Sequence, residues 1–290
     1  MRAATLILAC ATLGWGQFAR VDTSSAEGQA FVRMYEFDFP GAHAILDREI
    51  AQDASNPLPY SVKASAFFFS ELDRLKILQT EFFEDDDKVV DRRKLSPDPA
   101  IRRQIFRLFE LTRQHAAARL AQQPGDREAL FAQAMASGLE TDYAALVERR
   151  RFGSFSLAKQ SQTHALKLLA LDPPYYDAHL TTGSVEYVVG SLPFFLRWFV
   201  RIDQVEGSKE RAVEHLRIVA ERGRYYGPFA RVLLSVIALR EKRPWEAESL
   251  LTGLCSEFPL NPLFRRELDR TRGLARSKAP AGASSGAAGR

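Results

Sequence analysis

Apolar residues recur with helical period along nearly the whole chain. Ala30, Phe31, Met34 and Phe37 stand at i, i+1, i+4 and i+7 behind Ser24-x-x-Glu27, a spacing that predicts a capping box opening a helix. Ala42, Ile45, Leu46 and Ile50 repeat the stripe after Pro40-Gly41. Ala212, Val213, Leu216, Val219 and Ala220 form another, with Ser208 at the N-cap position and Gly223 just past the C-terminus. No run of period-two alternation is flanked by hairpin turns, so the class read from the pattern is all-α.

The interruptions are as regular in kind as the stripes. Ser55-Asn56-Pro57, Gln123-Pro124-Gly125-Asp126, Leu171-Asp172-Pro173-Pro174 and Phe258-Pro259-Leu260-Asn261-Pro262 each close one helix and precede another. Proline cannot continue a helix interior but fits just beyond an end or in the next first turn. Ala42 lies twelve residues before Ala54 and Ala247 twelve before Pro259, at the breaks, where a small side chain lets paired helices approach closely.

Composition adds size and neutrality. A chain of 290 residues, 46% hydrophobic and 26% charged, can bury a substantial core. The formal net charge of +4 suggests nucleic acid, but Arg2, Lys278 and Arg290 sit in terminal stretches without acids. Without those three, 37 basic groups face 36 acidic ones. The folded part is thus nearly neutral, which argues against a nucleic-acid partner.

The N-terminus predicts export. Met1-Arg2, the apolar run Ala3–Leu13 and Gly14-Trp15-Gly16 read as the three regions of a signal peptide over 1–16, with the mature chain starting at Gln17. The run is too short to span a bilayer. Ile7-Leu8-Ala9-Cys10 has the look of a lipoprotein box behind an unusually short apolar run. After cleavage only Cys255 remains, a free thiol on an apolar stripe and so read as a buried structural residue. No N-x-Ser/Thr acceptor occurs, and arginine far outnumbers lysine, which together point to a bacterial periplasmic or secreted protein. Residues 17–276 form the expected helical domain. Residues 277–290, rich in Ala, Gly and Ser, form an expected disordered tail.

With these breaks and small positions, the chain resembles the tetratricopeptide repeat family. Its clearest unit runs from Pro228 to Pro259, with Leu234 and Ser235 on the first helix and Ala247, Leu251 and Pro259 on the second. Tyr175, Leu180 and Gly183 after Pro173 match less closely. The unevenly spaced breaks and a charged insertion over 81–99 depart from the pattern. Gly207-Ser208-Lys209-Glu210-Arg211-Ala212-Val213-Glu214-His215-Leu216 with Gly223 is also similar to a helix in the tetratricopeptide family of the yeast inclusion-body clearance protein, over residues 190–268. The resemblance implies an α-solenoid of four or five stacked antiparallel helix pairs, a superhelix whose first helices line a concave binding face. Position in the repeat then makes Lys63, Gln133, Thr182, Glu186 and Arg240 the inward-facing polar candidates for partner binding.

Chemistry-bearing motifs are few. His43, His115, His164, His179 and His215 show no ligand spacing, and each reads as a packed or surface residue. There is no nucleophile elbow, phosphate loop or dinucleotide fingerprint, so neither catalysis nor a cofactor is expected. Glu84-Asp85-Asp86-Asp87 lacks the alternating spacing of a calcium loop. Phe67-Phe68-Phe69 surrounds its helix and predicts packing on several sides. Leu192–Arg201 carries Phe194, Phe195, Trp198 and Phe199, read first as inter-helix packing, then as a partner or apolar-ligand site, then as a membrane-surface contact. Glu186, Pro193 and Arg197 exclude a transmembrane span there. The expected function is a non-catalytic scaffold for a neutral or amphipathic protein or peptide segment. The alternative is a carrier of a small apolar ligand or lipid.

Overall fold

The structure, a computed structural model, describes residues 18–78, 96–149, 154–191 and 205–278. Among the described residues there are eleven α-helices and no strand. They are α1 (Ala26–Tyr35), α2 (Phe39–Gln52), α3 (Pro57–Arg74), α4 (Pro99–Gln122), α5 (Arg127–Asp142), α6 (Ser154–Leu169), α7 (His179–Ser191), α8 (Lys209–Arg222), α9 (Gly227–Arg240), α10 (Pro244–Glu257) and α11 (Pro262–Lys278). A π-helical turn, Tyr143–Val147, extends α5, and a 3₁₀ turn, Tyr176–Ala178, leads into α7. Among the described residues no helix is long and apolar enough to cross a membrane.

Capping chemistry sets most helix starts. Asp38, Asn56, Asp98, Asp126 and Ser208 each accept a backbone N–H of the first turn through a side-chain oxygen. Proline occupies the first position of α3, α4, α10 and α11, where its missing N–H costs no hydrogen bond. The first cap falls one residue later than the Ser24 spacing predicts. Ser25 caps α1 by accepting from Gly28, while Ser24 turns back to donate its amide and hydroxyl to Asp22 Oδ1 at 3.0 and 2.6 Å. That turn presses the Asp22 carbonyl to within 1.7 Å of where a Gly28 Cβ would lie, so only glycine fits. The stripe also overruns its helix: α1 ends at Tyr35, and Phe37 adopts φ 64° in the turn into α2.

Packing is chiefly between consecutive helices, with α1 also on α3 and α3 also on α5. The Phe67–Phe69 triplet packs on several sides, as its spacing predicts. Phe67 meets His43 of α2, Phe68 meets Tyr143, and Phe69 meets Phe229 of α9. Ala42 and Ala247 are fully buried.

Beyond these neighbour contacts, the two ends of the helix series meet. Tyr225, in the α8–α9 turn, stacks on Phe31 of α1 at 5.2 Å and on Phe131 of α5 at 6.0 Å. The Tyr35 hydroxyl donates to the Tyr225 carbonyl, and the Asn261 amide donates to the Tyr35 carbonyl. The segment ahead of α1 is held as well. Ala19 donates its amide to Ala220, Asp22 donates its own to Arg224, and the Asp22 carboxylate pairs with the Arg224 guanidinium at 2.8 Å. Aromatic side chains thus fill the space where α1, α5 and the α8–α9 turn face one another.

Asp177 anchors that turn. Its buried carboxylate accepts the backbone amides of Arg224, Tyr225 and Tyr226 at 2.7 to 2.9 Å. Burial pushes its carboxyl above the usual range, and the three amides oppose that push. Gly223 accordingly has a reason other than a left-handed cap: its φ is −64°, and an added Cβ would lie 2.6 Å from the Val219 carbonyl and 3.1 Å from Asp177 Oδ1.

The predicted leader 1–16, the acidic run Glu84–Asp87 and most of the tail over 277–290 lie outside the described residues. Cys255 is half-buried rather than buried, and burial still pushes its thiol up.

Candidate functional site

Three consecutive helices turn short polar spacings toward one another. On α7, Thr182 and Glu186 are one turn apart; on α8, so are Arg211 and His215; on α6, Gln162, Leu166 and Leu169 share a face that Ala170 continues just past its end. Together these eight side chains line an open cleft of about 450 Å³.

Close contact between α7 and α8 makes the shared wall. Gly183 permits it, because a Cβ there would lie 3.1 Å from His215 Cβ and 3.2 Å from the Ala212 carbonyl. At the far end Glu186, only 2% exposed, organises the entry to α8. Its Oε2 accepts the amides of Gly207 and Ser208, both at 2.8 Å, and its Oε1 lies 2.9 Å from the Arg211 guanidinium. Arg211 also pairs with Glu206 at 3.0 Å. Within the cleft lining the one acid and the one base pair with each other, while Glu206, outside it, is exposed.

The other polar groups of the wall are uncharged. The Gln162 amide and the Thr182 hydroxyl are buried and find no hydrogen-bond partner within the chain. An unpaired buried polar group costs about 1–3 kcal/mol, and here two belong to residues lining one cleft. His215 meets His179 of α7 with Nδ1 to Nδ1 at 2.7 Å. Burial holds both imidazoles below their usual range, His179 at about 4, where the proximity of His215 adds to the effect. Both rings are neutral at pH 7.

Of the sequence-derived candidates, Thr182 and Glu186 come together here. Lys63 instead pairs with Asp47 between α3 and α2. Arg240, closing α9, lies 6.0 Å from the centre of the Tyr187 ring. Gln133 is half-buried on α5, away from the cleft lining. The five do not form one continuous inward face. Phe194, Phe195, Trp198 and Phe199 lie outside the described residues, and so does the carrier reading that rests on them.

Gln162, Arg211 and His215 were missed as site residues. Their i, i+4 spacings are visible in the sequence, but which helix faces meet is decided by packing. Two of the five histidines read as separate are in fact adjacent, the others being paired with aromatics or half-buried: His43 with Phe67, His115 with Tyr60, and His164, which burial holds low. Among the described residues no three His, Cys, Asp or Glu side chains converge as a metal site.

Comparison of the chain with family models, with curated proteins and with solved structures finds no match.

Proposed function

We propose that the chain is a non-catalytic scaffold of tetratricopeptide-like helix pairs in the bacterial cell envelope, and that the cleft between α6, α7 and α8 receives an uncharged segment of a protein or peptide. The observation that carries this reading is the chemistry of the wall. Glu186 and Arg211 cancel, His215 is neutral, and the Gln162 amide and Thr182 hydroxyl lack partners in the chain beside Leu166 and Leu169. A peptide segment supplies both a donor and an acceptor at each residue, and small apolar side chains suit the leucines. A strongly acidic or basic segment would find no uncompensated charge here. The export expected from residues 1–16 supplies the compartment in this reading.

The test is affinity capture from a periplasmic extract of the source organism, with residues 17–290 as bait and a Gln162→Leu/Thr182→Val form beside it. A partner retained by the first and lost by the second, both baits keeping the same helical signal, supports the reading. Partners bound equally by both would place binding elsewhere and sink it.

A further inference from the structure

The two imidazoles at the edge of the cleft are closer than a packed pair needs to be. At 2.7 Å between Nδ1 atoms, one ring donates and the other accepts, whichever holds the proton. A proton can be added to the donor ring at Nε2 without breaking this bond. A proton added to the accepting Nδ1 cannot, because two N–H groups would then face each other across 2.7 Å. The rings must part.

Space between the two helix backbones is small. His179 opens α7, and Gly183, one turn further on, lies backbone-close against His215 and Ala212 of α8. The charged surroundings offer the second proton little. Glu186 of α7 attracts a cation at His215 but is shared with Arg211 and two backbone amides, and burial outweighs it. Arg211 of α8 repels a cation at His215, and Glu214 of α8, which attracts one, is exposed. Asp177, in the 3₁₀ turn before α7, is taken by three amides. From α6 the cleft receives Gln162 and apolar groups only. On its other side α8 shares an apolar cluster with Leu234 and Ile237 of α9.

We propose that His179 and His215 form an acid-sensitive latch on the wall of the cleft, holding α7 against α8 while one proton lies between the two Nδ1 atoms and releasing them when the accepting nitrogen is itself protonated. The latch rests on the cleft reading for its use, as a means of releasing a bound segment in acid, but its operation is a property of the free chain. Burial of both rings works in the same direction, because a native state that resists protonation loses stability to the unfolded or opened state as pH falls below the ordinary histidine range.

The experiment is amide hydrogen exchange on the full chain at pH 7.5 and 4.5, corrected for the intrinsic rate, with α10, which has no histidine, as internal reference. In the wild type, protection of α7 and α8 should fall at least about tenfold relative to α10, the equivalent of one pKa unit of coupling. His215→Asn and, separately, His179→Asn place an amide where Nδ1 stood and hold no titrating proton there, so in either variant that fall should shrink to the smaller part due to burial of the one remaining ring. Nitrogen-15 spectra of the imidazoles should show two well-separated titration steps. A wild-type fall equal to that of both variants, or none, or two independent titrations near the ordinary histidine value, would overturn the latch. A partner captured at pH 7.5 without a pH response sinks the latch alone. A responsive latch with no captured partner sinks the scaffold reading alone.

Discussion

One carboxylate does more for the closure of this molecule than any ion pair on its surface. Asp177 holds three consecutive backbone amides, and those amides belong to the turn that presents Tyr225 and Tyr226 to the interior. Removing the acceptor leaves buried donors unmet, which is the costly direction of the hydrogen-bond balance. Asp177→Ala should therefore lower stability by about 3 kcal/mol. Asp177→Asn, which keeps an oxygen for the Tyr225 and Tyr226 amides, should fall between it and the wild type. Denaturant unfolding of the three proteins checks the order. By contrast, Arg33–Asp38 and Lys76–Asp73 are exposed pairs of the kind that contributes little.

Elements are where the sequence was most legible. Leu234, Ser235, Ala247 and Leu251, on the adjoining helices α9 and α10, are all buried. Ala247→Leu should overfill that contact and cost about 1–3 kcal/mol, read as a lowered melting midpoint; an unchanged midpoint would mean that the small position is not needed for close approach. Helix ends were legible because caps and prolines act locally: Asn56-Pro57 and Asp126 stop and start helices through their own side chains. What the pattern could not supply is the choice of partner face. Thr182 and Glu186 reached the cleft because α7 turns that face to α8. Lys63 and Arg240, placed by the same register, met Asp47 and Tyr187 instead. Gly223 shows the limit most plainly, since its role depends on a carboxylate 46 positions earlier that no local rule mentions.

At the scale of the whole molecule, the aromatic closure separates this chain from an open stack in which each unit touches only its neighbours. Such stacks unfold as a sum of local terms. Here Tyr225 ties α1, α5 and the α8–α9 turn into one cluster, so loss at one end is felt at the other. Tyr225→Ala should cost about 3–5 kcal/mol and reduce cooperativity, with α1 and α2 exchanging amide hydrogens earlier than α6 and α7. A variant that keeps one sharp transition with all helices exchanging together would show that neighbour packing alone provides the cooperativity.

The same closure dictates an order of events as the chain is made. Tyr35 of α1 finds its hydrogen-bonding partners at Tyr225 and Asn261, 190 and 226 residues downstream. Synthesis delivers the N-terminal end first, and a contact so distant along the chain cannot form until the loop between has been drawn in. The segment Phe18 to Tyr35 therefore spends nearly the whole of synthesis with its binding surface incomplete and is among the last pieces to lock. A chain halted before α10 would leave Tyr35 without Phe258 and Asn261, so a late stop codon would also reach the contacts of α1.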